Sequence, residues 1–207
     1  MRPRLYAIAD AGVLAAWGIS LEQFARGLRA AGVELVQYRN KTGSPREVLQ
    51  AAEVLRGAFA GSGATLILND RADLALLAGL DGVHVGQGDL SPDDARRVVG
   101  ASRTVGLSNH TDDQVRAAEL SCADYIAIGP VFATTTKADT EPVVGLDGVR
   151  RARALTTKPL VAIGGITRVN ARSAIDAGAD SVAVISGLLA EGESVEQVAR
   201  DFLELLR

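Results

Sequence analysis

The chain has 207 residues, 47% of them hydrophobic, enough to bury a substantial core and near the upper size of one domain. Its formal charge is −3, and its 22 Lys and Arg are scattered rather than gathered into a stripe. That excludes a nucleic-acid or anionic-membrane surface but leaves room for small anions held locally. No apolar stretch approaches the roughly 18 residues of a transmembrane helix, and no signal-type apolar region follows Met1-Arg-Pro-Arg-Leu-Tyr6, so a cytoplasmic protein is expected. The single Cys122 has no partner for an internal disulfide and reads as a buried structural thiol.

In chain order, Arg4–Ala9 is a short apolar run of strand length, and Ser20-Leu-Glu-Gln23 is a capping box opening a helix through Ala31. The same pairing recurs. Val33–Arg39 precedes a helix begun at Ser44-Pro45-Arg46-Glu47, Ala64–Leu68 precedes Arg71–Ala78, and Gly82–Val85 precedes Ser91–Val99. Arg103–Leu107 leads to a helix capped at Thr111 with Gln114 three residues on, and Tyr125–Ile128 is followed after a loop by Leu146–Leu155. Pro159–Ile163 with Thr167–Ala177, and Ser181–Ile185 with a helix from Ser194 to Leu206, complete the series. Eight strand–helix pairs with short apolar strands predict parallel strands covered by helices. The count of eight selects a closed barrel, so the fold expected is α/β, a single (β/α)8 TIM barrel forming one domain over residues 1–207.

An internal pattern supports this. Glu34, Asp81, Asp124 and Asp180 stand at equivalent places at the start of the four even strands, followed by alternating positions. Val36/Tyr38, Val83/Val85, Ile126/Ile128 and Val182/Val184 are large and apolar. Gln37/Arg39, His84/Gly86, Ala127/Gly129 and Ala183/Ile185 are mostly polar or small. With a period of two, one set faces the helices and the other the barrel interior. The four acids fall at the mouth opposite the strand ends and read as stability features.

Barrel active sites lie at the carboxyl ends of the strands. Parity places Gln37, Arg39 and, just beyond, Lys41 together there at the end of the second strand. A lumen arginine is badly desolvated without a partner, so the group needs either buried carboxylates opposite or a bound phosphate. Asn69-Asp70 ends the third strand and Gly86-Gln87-Gly88-Asp89 follows the fourth. Hard oxygen ligands from two such loops suit a Mg²⁺ that bridges a diphosphate and keeps waters elsewhere. Asp73, Asp93 and Asp94 fall in first turns of helices and fit as dipole partners. Ser108 and His110 sit at the mouth after the fifth strand, and inward His84 reads as a hydrogen-bonded core histidine. The stretch Ile128-Gly-Pro-Val-Phe-Ala-Thr-Thr-Thr-Lys137 runs from an apolar strand into hydroxyls and an ammonium, donors suited to phosphate. Strands seven and eight end in Ile163-Gly-Gly-Ile-Thr167 and Ile185-Ser-Gly-Leu188. There the N–H groups of Gly164, Gly165, Ser186 and Gly187, at expected helix starts, offer the usual barrel phosphate site.

Gln37-x-Arg39-x-Lys41, Asn69-Asp70, Gly86-Gln87-x-Asp89, Ser108-x-His110, Gly129-Pro-Val-Phe-x-Thr134-x-Thr136-Lys137 and Ile163-Gly-Gly-Ile with Ile185-Ser186 together resemble the thiamine-phosphate synthase family. The likeness spans nearly the whole chain, six segments agreeing in order and spacing. It implies an enzyme joining 4-amino-5-hydroxymethyl-2-methylpyrimidine diphosphate to 4-methyl-5-(2-phosphooxyethyl)thiazole, with thiamine phosphate and pyrophosphate as products. It further implies that Asp70 and Asp89 hold one Mg²⁺ per subunit, that Arg39, Lys41, Asn69 and Lys137 bind the diphosphate, and that Gln37 lies near the pyrimidine. Thr134, Thr136, Gly165, Ile185 and Ser186 would hold the thiazole phosphate. Lys137, Ser108 and Arg39 would act at the reacting centre. Tyr38, Ala133 and Asn109 depart from the family's usual residues.

Two rival readings remain at this stage. A related thiazole tautomerase has a similar barrel and uses a histidine at the place of His110, but it needs neither a metal nor diphosphate handling. A non-catalytic phosphate sensor would show a degraded metal pair. The Asp70/Asp89 pair and the Thr134/Thr136/Lys137 loop favour the synthase. Two small phosphorylated substrates are the expected partners, with no nucleic acid or membrane, and either a monomer or a homo-oligomer is compatible with the sequence.

Overall fold

The computed structural model describes residues 3–134 and 141–207. Eight parallel strands close into a barrel in sequence order: β1 (Leu5–Asp10), β2 (Leu35–Arg39), β3 (Thr65–Asn69), β4 (Gly82–Val85), β5 (Thr104–Asn109), β6 (Tyr125–Ile128), β7 (Leu160–Ile163) and β8 (Ser181–Val184), with β8 pairing back onto β1. Around them lie α1 (Ala11–Ala16), α2 (Leu21–Ala31), α3 (Pro45–Ala58), α4 (Ala72–Leu77), α5 (Pro92–Val99), α6 (Asp112–Leu120), α7 (Gly145–Leu155), α8 (Ala171–Asp176) and α9 (Val195–Leu205). The chain is thus the expected (β/α)8 barrel. Among the described residues no helix is long and apolar enough to cross a membrane.

The local signals act as read. Ser20 with Gln23, Ser44 with Glu47 and Thr111 with Gln114 form reciprocal capping boxes, each satisfying two amides that the first helical turn leaves open. At α9 only half the box forms. Ser194 accepts from the Gln197 amide at 3.1 Å, while the Gln197 side chain turns instead to Asp201 at 2.7 Å.

Two elements differ from expectation. The first is α1, unforeseen because its six residues carry too little amphipathic pattern. It is started by Asp10, whose carboxylate accepts from the Val13 amide at 3.0 Å. The second is the helix expected from Thr167. It begins only at Ala171, since Asn170 Oδ1 takes the Thr167 amide at 2.8 Å and closes a turn first.

Alternation along the strands divides the interior in two. Leu5, Ala7, Ala9, Val36, Tyr38, Leu66, Leu68, Val83, Val85, Ile126, Ile128, Val182 and Val184 pack outward against the helices as one large cluster. Tyr6, Ile8, Ile67, Tyr125, Ala127, Val161 and Ala183 fill the lumen as a second, smaller one. This is the parity expected for the even strands, and it holds around the barrel.

At the end remote from the strand termini, Asp81, Asp124 and Asp180 each reach back to the preceding strand. They accept from the amides of Leu66 (2.7 Å), Val105 (2.7 Å) and Leu160 (2.8 Å). Arg96 joins Asp124 at 2.5 Å and Arg153 joins Asp180 at 2.9 Å. The two arginines also hold carbonyls of the loops entering the strands. The repeated acid therefore caps the start of a neighbouring strand, a structural role. Asp180→Ala should leave the Leu160 amide without its acceptor and cost about 1–3 kcal/mol. Urea unfolding should show a lower midpoint at unchanged slope, and a parent-like midpoint would contradict the role.

Candidate active site

A cleft with about 350 Å³ of empty space opens at the carboxyl ends of the strands. It is lined by Tyr6, Ile8, Gln37, Arg39, Asn69, His84, Ser108, Ala127, Val161, Ile163, Ala183 and Ile185. Five residues singled out in the sequence for substrate, Gln37, Arg39, Asn69, Ser108 and Ile185, therefore share one wall or another of it.

On β2, Arg39 lies directly across from Asp10 of β1, and its Nη1 donates to the Asp10 carboxylate. Both groups are largely withdrawn from water. Of the two partners that a lumen arginine could have, the buried carboxylate is thus present. Only one guanidinium nitrogen is engaged by it, and Arg39 also lines the cleft, so further N–H donors of the fork remain to meet a ligand. Asp10 was not foreseen. Extending the period of two to β1 would have placed it inward beside Arg39.

Asn69 ends β3, and its Nδ2 is a buried donor with no acceptor among the described residues. A buried amide left open costs of the order of 1–3 kcal/mol, and facing a cleft it is suited to an anionic oxygen. Next to it, Asp70 is the one non-glycine residue with positive φ among the described residues, at 64°. Its amide is held by the His84 carbonyl at 2.8 Å. The left-handed backbone is one that Asp tolerates better than most side chains. Asp70 Oδ2 receives Lys41 Nζ at 2.5 Å, and Asp89, from the loop after β4, stands beside it. Burial pushes the Asp70 carboxyl above the usual range. Lys41 opposes that shift and the neighbouring Asp89 adds to it. Asp89 Oδ2 accepts from the Gly86 amide at 2.8 Å, which fixes the loop.

Among the described residues no three His, Cys, Asp or Glu side chains gather as a complete metal cage. Two hard carboxylates side by side, one of them disfavoured as an anion, nevertheless fit Mg²⁺. That ion commonly takes one or two protein carboxylates and fills its other positions with water and phosphate oxygens.

The expected phosphate cradle forms by close backbone packing. Val131 and Phe132 donate their amides to the carbonyls of Ile163 (2.9 Å) and Gly164 (3.0 Å), so the loop after β6 pairs onto the end of β7. Gly165 has φ 63°, and a Cβ there would come within 2.5 Å of the Ala133 carbonyl, next to Thr134. Gly187 likewise has no room for a Cβ against the Ile166 carbonyl. Gly165, Thr134, Ile185 and Ser186 are brought together in this way. The helix start at this end is the short 3-10 turn Ser186–Leu188; α8 begins seven residues beyond Gly164, so it does not abut the glycines as expected. Thr136 and Lys137 lie outside the described residues.

Below the mouth, a hydrogen-bond chain crosses the lumen. Gln37 Nε2 donates to Tyr6 Oη (2.7 Å), Tyr6 meets Tyr125 (2.8 Å), Tyr125 meets His84 Nδ1 (2.9 Å) and His84 Nε2 meets Ser108 Oγ (2.8 Å). His84 is the hydrogen-bonded core histidine expected. Tyr6 and Tyr125 were missed, although parity along β1 and β6 points both inward. His110 Nδ1 donates to the Gly129 carbonyl at 2.6 Å, and the Gly129–Pro130 bond that follows is cis. Cys122 is a partly buried free thiol, pushed up by burial and by Asp93.

A (β/α)8 barrel with a polar cleft at its strand ends has the architecture of a barrel enzyme. A family model for thiamine monophosphate synthase matches residues 5–188. The chain is 55% identical over 206 residues to a thiamine-phosphate synthase of Koribacter versatilis, covering 99% of this chain and 96% of that one. It is 41% identical to one of Chloroflexus aurantiacus, covering 98% and 92%. A solved thiamine phosphate pyrophosphorylase from Pyrococcus furiosus superposes with a TM-score of 0.84 at 30% identity, covering 99% and 95%. The chain belongs to the thiamine monophosphate synthase family and is a transferase of thiamine phosphate synthesis.

Because Gly165 combines a left-handed backbone with contact at the 132–133 backbone, Gly165→Ala should cost about 1–3 kcal/mol from backbone strain alone. A thermal unfolding midpoint equal to the parent's would show that the two loops do not need this close approach.

Proposed function

We propose that the enzyme condenses 4-amino-5-hydroxymethyl-2-methylpyrimidine diphosphate with 4-methyl-5-(2-phosphooxyethyl)thiazole to give thiamine phosphate and pyrophosphate. The observation that carries this reading is the meeting, at one mouth, of a carboxylate pair (Asp70, Asp89) with donors that await an anion, above all the unsatisfied Asn69 amide. A tautomerase or a phosphate sensor has no use for that pair.

Asn69, Arg39 and Lys41, with Lys137, are the diphosphate ligands in this reading, and Gln37 faces the pyrimidine. Mg²⁺ held by Asp70 and Asp89, one per subunit, would neutralise part of the diphosphate charge. Lys41 is already paired with Asp70, so it can turn to the incoming diphosphate without a long reorganisation. Thr134, Thr136, Gly165, Ile185 and Ser186 hold the thiazole phosphate on the opposite side. When the C–O bond to the leaving group breaks, negative charge grows on the pyrophosphate oxygens. Arg39, fixed by Asp10, and Lys137 supply preorganised positive charge at that point. Ser108 donates beside it. The electron-rich aminopyrimidine expels pyrophosphate, and the thiazole nitrogen attacks the resulting pyrimidine-methyl cation, so no protein general base is needed. Two phosphorylated substrates that do not cross membranes unaided accord with a cytoplasmic enzyme.

Purified protein given both substrates and Mg²⁺ should form thiamine phosphate and pyrophosphate in equal amounts; no product with any divalent ion would end this reading. Lys137→Ala should lower kcat/KM by the equivalent of about 2–4 kcal/mol, as for other lost electrostatic donors. Turnover close to the parent's would remove Lys137 from the reacting centre.

A further inference from the structure

The five-residue chain across the lumen has a direction, and the direction has chemical consequences. Its members are almost wholly buried: Tyr6 is 1% exposed, Gln37 2%, His84 7% and Tyr125 7%, so water cannot freely exchange into the links. Burial also holds both phenols well above their usual pKa, so each carries one proton, and only one, at any ordinary pH.

The rest follows by counting protons. Gln37 Nε2 can only donate, so the Tyr6 oxygen accepts from it and must spend its own proton on Tyr125. Tyr125 then accepts from Tyr6 and passes its proton to His84 Nδ1. That nitrogen must present a lone pair, which requires a neutral imidazole with its proton on Nε2. The Nε2–H is donated to Ser108 Oγ. With one lone pair so engaged, Ser108 keeps its own proton for a group in the cleft. The backbone of Ser108 is fixed from the other side, its carbonyl accepting from Gln87 Nε2 at 2.7 Å.

The barrel is shaped around these contacts. Gly106 of β5 lies between Tyr125 and His84 in the strand register, paired with Tyr125 on one side and His84 on the other. A Cβ on Gly106 would fall 2.1 Å from Tyr125 Cζ and 2.5 Å from His84 Nδ1, so only glycine lets the two side chains meet. The Tyr125 and His84 rings lie nearly parallel, 5.4 Å apart, and Tyr6 meets Tyr125 edge to face at 6.0 Å.

We propose that Gln37, Tyr6, Tyr125 and His84 form a directional hydrogen-bond relay that locks His84 in its Nε2–H tautomer and thereby sets Ser108 as a donor into the cleft. Tyr6, Tyr125 and His84 are positioning residues. The relay also bars Ser108 from acting as a histidine-activated nucleophile, because the nitrogen that would take its proton already carries one. The relay itself stands apart from the proposed reaction. That Ser108 donates to the departing pyrophosphate or the reacting centre rests on that reading.

The opposite polarity is self-consistent only if the Gln37 amide is turned over so that its carbonyl oxygen faces Tyr6, which would place the histidine proton on Nδ1. The two cases can be told apart in the free protein, independently of any activity. The chain has two histidines, so uniformly ¹⁵N-labelled histidine gives two imidazole patterns, assigned with His110→Gln. His84 should be neutral with Nε2 protonated and Nδ1 bare, whereas His110, which donates through Nδ1 to the Gly129 carbonyl, should show the opposite tautomer. A proton on His84 Nδ1, or an averaged mixture, would overturn the proposal. In Gln37→Glu, measured above the titration of the new carboxyl group, residue 37 can only accept, so every link reverses and the His84 proton should move to Nδ1, more than two side chains away. An unchanged Nε2–H pattern in that variant would show that the chain transmits no direction, and would equally overturn it.

Discussion

A lumen closed by eight strands must be filled by side chains, and polar groups that enter it must find partners inside it. That constraint governs the upper half of this barrel. Tyr6, Gln37, Tyr125 and His84 satisfy one another in sequence, Arg39 is met by Asp10, and Gly106 gives up its side chain so that two of these contacts can form. A polar network of this kind is stabilising only when complete, because each unpaired member carries its full desolvation cost. The Asn69 amide, left open at the cleft, is therefore informative: the protein supplies partners below the mouth and leaves a donor unmet at it.

The mouth is built on the same economy of space. Asp70 takes a left-handed backbone so that its carboxylate meets Lys41 and Asp89, and Gly165 and Gly187 let three loops approach backbone to backbone. Rigid strand ends thus carry the cationic and amide donors, while close-packed loops carry the hydroxyls and glycines. The reaction assigned to the family needs charge stabilised at a departing pyrophosphate. Preorganised donors on a fixed frame suit that better than a mobile base.

Much of this could be read from the residues. The eight pairs, the capping boxes and the inward parity of Gln37, Arg39, His84 and Ser108 followed from periods of two and 3.6 and from turn chemistry. Those signals are local and survive in the fold. What was not legible depended on contacts between strands distant in sequence. Asp10 is 29 residues from Arg39, and Tyr6 is 119 from Tyr125; nothing local to either partner announces the other. The late start of α8 was hidden for a different reason. Asn170 competes for the Thr167 amide, and that contest is decided by loop geometry rather than by helical pattern.

The central claim is that the carboxylate pair and the open donors at the strand ends form one diphosphate site that works with a divalent cation. Calorimetric titration of pyrophosphate into the free enzyme, with and without Mg²⁺, tests it most directly. The account predicts one site per chain whose affinity rises clearly when Mg²⁺ is present, with that gain lost in Asp70→Asn. Pyrophosphate binding that is indifferent to Mg²⁺, or a gain that persists in Asp70→Asn, would contradict it.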